Sequence, residues 1–318
     1  MTIHVCVKSE SAQRYINDLK KANIISRKYR IHNAGGKVYI PVNEGLELPD
    51  SIKKLCVDVE GIPHEVPMKP VPVVGSYDVI GHIAIFKGND RNKYLDRARE
   101  VLETRRMITT VYLDHGVKGD SRTRTLELMA GKDLPEAFYR ENGITLRVNV
   151  KEAYFSPRLA TERLLISKTV RENEKVCDMF AGIGPFSISI AKRVKAEIVA
   201  VDSNCRAIEL LQENILLNRI IGSIKPICAD SGNEVHKHGL FDRIIMNLPH
   251  SAFNFIDEAV SSLKTGGVVN YYEISTLEGI MDRMQLFREK GMKLNWKREV
   301  HGYSKSENLY SMEFLKVL

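Results

Sequence analysis

Apolar positions recur along this chain at two periods, alternating or running together over short stretches that read as strand and returning every three to four residues where the chain reads as helix. To about residue 66 the order is strand IHVCVK, a helix from Ser9 to about Ala22, and a strand around KVYIPV after the turn signal Ala34-Gly35-Gly36, which makes a small α/β unit. Pro63, Pro67, Pro70 and Pro72 then block helix and stiffen the chain, as a linker does. From about residue 71 the pattern predicts strand DVIGHIAIFK, a basic amphipathic helix from about Asn89 to Arg105 and strand MITTVYLD. The polar segment HGVKGDSRTRTLELMAG follows, then strands at TLRVNV and EAYFS. Beyond residue 149 apolar strands and helices alternate, the signature of a mostly parallel sheet covered on both faces. The expected organisation is α/β, with the parallel sheet over 149–318 and two smaller α/β (α+β) domains over 1–66 and 67–148.

Composition narrows the function classes. The chain has 318 residues, 43% apolar and 27% charged, enough for two or three domains with sizeable cores. No apolar run approaches a membrane span and the start lacks the apolar segment of a secretory signal, so a cytoplasmic protein without membrane attachment is expected. Cys6, Cys56, Cys177, Cys205 and Cys228 lie far apart with no CxxC pair, which indicates small core residues rather than a zinc knuckle or a disulfide framework. His236 and His238 sit in a polar stretch that reads as surface loop, and no metal is expected. The net charge of +7 suits a polyanionic partner, and nine basic residues face five acidic ones between Arg91 and Arg124. That cluster fits phosphate contact and a solvated helix face equally well.

The chemistry concentrates in KVCDMFAGIGPFSISIAKRV, a buried strand ending at Asp178, a turn with Gly182 and Gly184, and a helix from about Pro185. Glycines let backbone approach a ligand, and the helix amides point into the same crevice. Strand EIVAVD then ends at Asp202, placed to hold ribose hydroxyls, and IKPICAD ends at Asp230, where a carboxylate beside an apolar wall accepts an adenine amino proton. FDRIIMNLP ends at Asn247-Leu248-Pro249. Each Asp alone is more often a helix cap or turn residue; four polar strand ends on one sheet edge together indicate a ligand site. A dinucleotide dehydrogenase would need a third glycine at position 187, which is Ser. The motif order resembles the class I, Rossmann-like methyltransferases.

Upstream, in AYFSPRLATERLLISKTVREN, Ser156 reads as N-cap and Pro157 as the first helical residue, so Arg158 and Glu162 share one helix face; a surface ion pair is the plain alternative. YFSPRLATER, DMFAGIGPF, NLPHSAFNFIDEA and KGDSRTRTLELMAG together resemble the archaeal and eukaryotic tRNA (guanine-37 N1)-methyltransferases, over nearly the whole chain. The resemblance implies a Rossmann-like class I methyltransferase domain, S-adenosylmethionine as cofactor, tRNA as partner and action as a monomer. It implies Glu162 as general base on guanine N1, Arg122 stabilising O6, and Tyr154, Asn247 and Pro249 holding the flipped base. It further implies Arg158, Asp178, Phe180, Gly182, Gly184, Asp202, Asp230 and Asn247 around the cofactor, and Lys118 and Arg124 toward RNA. A wyosine-type tricyclic base at position 37, or another RNA base, is the alternative acceptor.

Overall fold

The computed structural model describes residues 2–26, 29–43, 48–59, 77–118, 123–304 and 306–317, and the chain divides into two compact units, Met1–Val73 and Val74–Leu318. In the first unit β1 (Thr2–Lys8), α1 (Ser9–Lys21), β2 (His32–Ala34), β3 (Lys37–Pro41), α2 (Asp50–Lys53) and β4 (Cys56–Val59) build an antiparallel sheet in the order β2-β3-β1-β4. Val5 and Val7, Leu19 and Ile40 meet between that sheet and α1. The proline cluster from Pro63 to Pro72 lies outside the described residues.

The second unit opens with β5 (Tyr77–Ile80), β6 (Ile83–Lys87), α3 (Arg91–Thr104), β7 (Thr110–Lys118) and β8 (Thr123–Gly131), a sheet in chain order covered by Tyr94, Ala98 and Val101 of α3. The one strand expected at DVIGHIAIFK is two. Gly81 turns the chain at φ +57°, and a Cβ there would lie 2.7 Å from the Phe138 carbonyl oxygen. The polar segment after Asp114 supplies the end of β7 and all of β8. A hairpin of β9 (Glu136–Glu141) and β10 (Ile144–Asn149) follows, whereas EAYFS is irregular. Ala153 and Phe155 are buried beside Leu146 and Val148, so an alternation that reads as strand belongs to a loop anchored in the core.

A 3-10 turn (Pro157–Leu159) leads into α4 (Ala160–Thr169), β11 (Lys175–Asp178), α5 (Pro185–Arg193), β12 (Glu197–Asp202), α6 (Cys205–Leu216), β13 (Ser223–Cys228) and α7 (Ser231–Glu234). Then come β14 (Phe241–Met246), α8 (Ile256–Ser261), β15 (Leu263–Ser275), α9 (Leu277–Glu289), β16 (Met292–Gly302) and β17 (Asn308–Lys316). The seven strands run β13-β12-β11-β14-β15-β17-β16; the first five are parallel and β17 is antiparallel to both neighbours. Successive residues serve opposite faces, Val176, Ile198 and Ile245 entering one apolar cluster and Cys177, Val199 and Ile244 the other. Two buried faces explain the consecutive apolar residues in the middle of β11, β12 and β14, Val176–Cys177, Ile198–Val201 and Ile244–Met246. Among the described residues no helix is long and apolar enough to cross a membrane.

Candidate active site

On one side of the carboxyl edge, polar strand ends surround the glycine turn. Gly182 (φ +53°) and Gly184 (φ +84°) both take the left-handed region. A Cβ on Gly184 would meet Leu211 at 2.0 Å, so packing under the turn demands glycine; on Gly182 it would meet only the Tyr154 carbonyl at 3.8 Å, which leaves room for a ligand against the backbone. Pro185 starts α5 as expected. Asp178 is buried and accepts from the Ser187 hydroxyl at 2.7 Å, while its Oδ1 has no hydrogen-bond partner. Burial pushes its carboxyl up to about 7.

Asp202 accepts from the Gly182 N–H at 2.7 Å through Oδ2 and from the Asn204 N–H at 2.9 Å through Oδ1, thereby shaping the turn. Asp230 is exposed and caps α7, accepting from the Asn233 N–H at 3.1 Å. Phe180 packs edge-on against Phe255 at 5.1 Å, an apolar wall that reaches Gly232 beside Asp230. Phe253 instead lies under the Arg283 guanidinium and is 40% exposed.

The cysteines depart from expectation here. Cys177 is buried in the core, but Cys205 and Cys228 are exposed and form a disulfide that ties the start of α6, three residues after Asp202, to the end of β13, two before Asp230. Their separation of 23 residues carries no pairing signal, and only the crossover from β12 to β13 brings them together. His236 bonds Ser262 and His238 bonds Glu234, each at 2.9 Å.

On the acceptor side, Asn247 follows β14 and its buried Oδ1 has no hydrogen-bond partner. The Pro249 carbonyl accepts from the Ile274 N–H at 2.9 Å, which fixes the turn to β15. Glu162 lies in the first turn of α4, is 3% exposed, and accepts from the Arg298 guanidinium at 2.7 Å. The surface pair between Arg158 and Glu162 does not form. Arg158 sits in the 3-10 turn before α4, off the helical spacing, and binds Asp78 of β5 at 2.7 Å; the Ser156 side chain makes no cap.

Arg124, expected toward RNA, is 5% exposed; it pairs with Asp114 at 2.9 Å, donates to the Phe155 carbonyl at 2.8 Å, and lies under the Tyr154 ring at 4.8 Å. It is therefore a buried tie from β8 to the loop that presents Tyr154, itself 36% exposed, and not a phosphate contact. Arg122 lies outside the described residues, as does the side chain of Lys118. In the basic stretch Arg91 pairs with Glu127 and Arg97 with Glu100, while Arg99, Arg105 and Arg106 remain exposed. Arg298, Tyr272 and Asp78 had no sequence signal: Arg298 reaches Glu162 across 136 residues.

The residues present fit an S-adenosyl cofactor. Two buried acceptors without protein partners, Asp178 Oδ1 and Asn247 Oδ1, follow from adjacent strands β11 and β14 and suit a ligand that brings donors such as an ammonium group. The glycine turn has space for it, and the strand order puts Asp202 and Asp230 farther along the same edge.

Comparison with known proteins agrees with this arrangement. Residues 137–297 match the TRM5/TYW2 methyltransferase domain, residues 64–134 the TYW2 N-terminal domain, and residues 5–49 the tRNA methyltransferase 5 N-terminal domain. A tRNA (guanine(37)-N(1))-methyltransferase Trm5b from Pyrococcus abyssi is 37% identical over 290 residues, covering 86% of this chain and 84% of that one. The chain belongs to the TRM5/TYW2 methyltransferase family. A second relative, the tRNA(Phe) (4-demethylwyosine(37)-C(7)) aminocarboxypropyltransferase of Methanocaldococcus jannaschii, is 32% identical over 225 residues, 69% of this chain and 88% of its own. A solved complex of aTrm5 and tRNALeu superposes with a TM-score of 0.78 at 31% identity, covering 99% of this chain and 100% of that one. The family thus contains two group transfers, and the site must be read for the one it performs.

Proposed function

We propose that this TRM5/TYW2 family member is a tRNA (guanine-37 N1)-methyltransferase that uses S-adenosylmethionine, with Glu162 as general base. The observation that carries this reading is a carboxylate 3% exposed, held on α4 by one oxygen and leaving the other to accept a proton. Guanine N1 is a poor nucleophile until its proton leaves, and that proton passes to Glu162 as the N1 lone pair becomes available. The bound cofactor supplies an electrophilic methyl group. Asn247 and Pro249, fixed through β15, hold the edge of the extruded base, and Tyr154 over Arg124 offers a ring face for it. The family resemblance assigns Arg122 to the charge that develops on O6. The match of residues 5–49 to the tRNA methyltransferase 5 N-terminal domain, beside 37% identity to a Trm5b over 86% of this chain, favours methyl transfer to guanine.

The match of residues 64–134 to the TYW2 N-terminal domain supports a second reading, transfer to a wyosine-type tricyclic base at the same position. Labelled methyl from the cofactor should enter transcripts with guanine at position 37 and not those with adenine there. Equal labelling of both would remove the base assignment, and mass analysis showing an aminocarboxypropyl group on tRNA that already carries the tricyclic base would select the second reading. Glu162→Gln should lower turnover about 10²–10⁴-fold with cofactor affinity, measured by calorimetry, nearly intact.

A further inference from the structure

A carboxylate as enclosed as Glu162 needs a counter-charge, and the one that meets it comes from the far edge of the sheet. Arg298 on β16 donates to Glu162 Oε2 at 2.7 Å and stacks over Trp296 at 5.2 Å. Strand register places it in a row: Arg298 pairs with Ser311 of β17, which pairs with Tyr272 of β15. Tyr272 is fully buried, and burial followed by the charge of Glu162 pushes its hydroxyl up, so it stays a neutral phenol. The Nε of Arg298 is buried without a hydrogen-bond partner, and the buried Ser311 and Tyr272 hydroxyls lie beside each other. An incompletely satisfied guanidinium and two buried hydroxyls beside one buried carboxylate are costly in a purely structural layer, and such sites cluster where chemistry is done. The neighbouring cation Arg163 is held elsewhere, by Glu141 at 2.5 Å and the Ser156 carbonyl, which leaves Glu162 to Arg298.

We propose that Arg298 is the positioning residue for the general base, fixing one oxygen of Glu162 and supplying its counter-charge so that the other oxygen receives the guanine N1 proton. This rests on the reading of Glu162 as base. A guanidinium suits the task because it does not give up its own proton, and its planar face rests on the indole while its edge binds the carboxylate. The row across β15, β17 and β16 makes the C-terminal antiparallel strands part of the catalytic apparatus.

The test is steady-state methyl transfer to guanine-37 transcripts by the full chain carrying Arg298→Ala, Arg298→Gln, Arg298→Lys, Glu162→Gln, or Arg298→Ala with Glu162→Gln. Arg298→Ala and Arg298→Gln should lose about 10–100-fold in kcat, part of what a positioned base contributes, with the KM for tRNA and the cofactor Kd changed less than about twofold. Arg298→Lys, which keeps the charge but not the planar stack, should regain part of the loss, and the double variant should be no slower than Glu162→Gln alone. Wild-type kcat in Arg298→Gln, or the same fold-loss from Arg298→Ala whether or not Glu162 is present, would overturn the proposal. Should Arg298→Ala not fold, Arg298→Gln and Arg298→Lys decide the matter. Full turnover by Glu162→Gln would remove the base reading itself and this inference with it, whereas an inactive Glu162→Gln beside an unaffected Arg298→Gln removes this inference alone.

Discussion

The two halves of the crevice are built in different ways. On the cofactor side, Asp178, Asp202 and Asp230 end or follow consecutive strands and bond partners no more than 20 residues away: Asp202 to Asn204 and across to Gly182 of the preceding turn, Asp230 to Asn233, Asp178 to Ser187. On the acceptor side the key side chains are held by partners far away in the chain, Glu162 by Arg298, Arg158 by Asp78, and Tyr154 over Arg124. Local construction gives a site that fits any S-adenosyl chemistry. On the side we propose for the acceptor, long-range construction makes the space beside the turn depend on wholly or partly buried charge pairs.

Arg124→Met tests the dependence with the largest expected effect on stability. Asp114 would remain buried with its guanidinium gone, which costs about 3–5 kcal/mol, read as a lower urea midpoint. Pairing the change with Asp114→Leu should recover much of that loss, because the uncompensated charge disappears. The comparable change on the cofactor side, Arg206→Ala, removes exposed contacts to Glu152 and Glu209 and should leave the urea midpoint nearly unchanged. Equal losses at the two positions would contradict the distinction between the halves.

The same contrast decides what the sequence discloses. Strands β11 to β14 and the glycine turn are legible because apolar runs closed by a polar residue reflect two buried faces meeting a solvent edge. Gly182 and Gly184 announce left-handed backbone, and Ser187, which argues against a dinucleotide fingerprint, is the hydroxyl under Asp178. The spacing of Arg158 and Glu162 suggests one helix face, yet the 3-10 turn at Pro157 breaks that register and each finds another partner. Arg124 reads as one more charge in a basic stretch because sequence shows its type and not its burial. Arg298 and the Cys205–Cys228 bond depend on which strands become neighbours, information that no local window contains.

A smaller effect is expected at Asp178 and has a definite sign. The carboxyl titrates near 3.8 in the unfolded chain and about 7 when buried, so between these values the folded protein holds a proton that the unfolded one has released. The stability this contributes is whole below about pH 4 and is lost as pH rises through about 7, amounting to about 4 kcal/mol at one pKa unit per 1.36 kcal/mol. Asp178→Asn lacks this titration and can still accept from Ser187. Without cofactor, its melting temperature relative to wild type should therefore rise between pH 5 and pH 8. A difference that stays flat over this range would mean that the group is not held as the structure has it.

The disulfide gives a smaller change than either buried carboxylate and asks whether short-range bonding suffices for the cofactor side. It closes 23 residues, and chain entropy alone makes that worth about 3 kcal/mol. Disulfides of this kind persist in oxidising compartments and inside hyperthermophiles, and a reducing cytosol opens exposed ones. Cys205→Ser with Cys228→Ser should lower the melting temperature, and dithiothreitol should bring wild type to the same value while leaving the double variant unmoved. Because Asp202 and Asp230 each keep a bond within their own turn, to Asn204 and Asn233, cofactor affinity should change much less than stability. A loss of affinity as large as the loss of stability would show that the crevice edge, like the acceptor side, relies on a tie between distant stretches of chain.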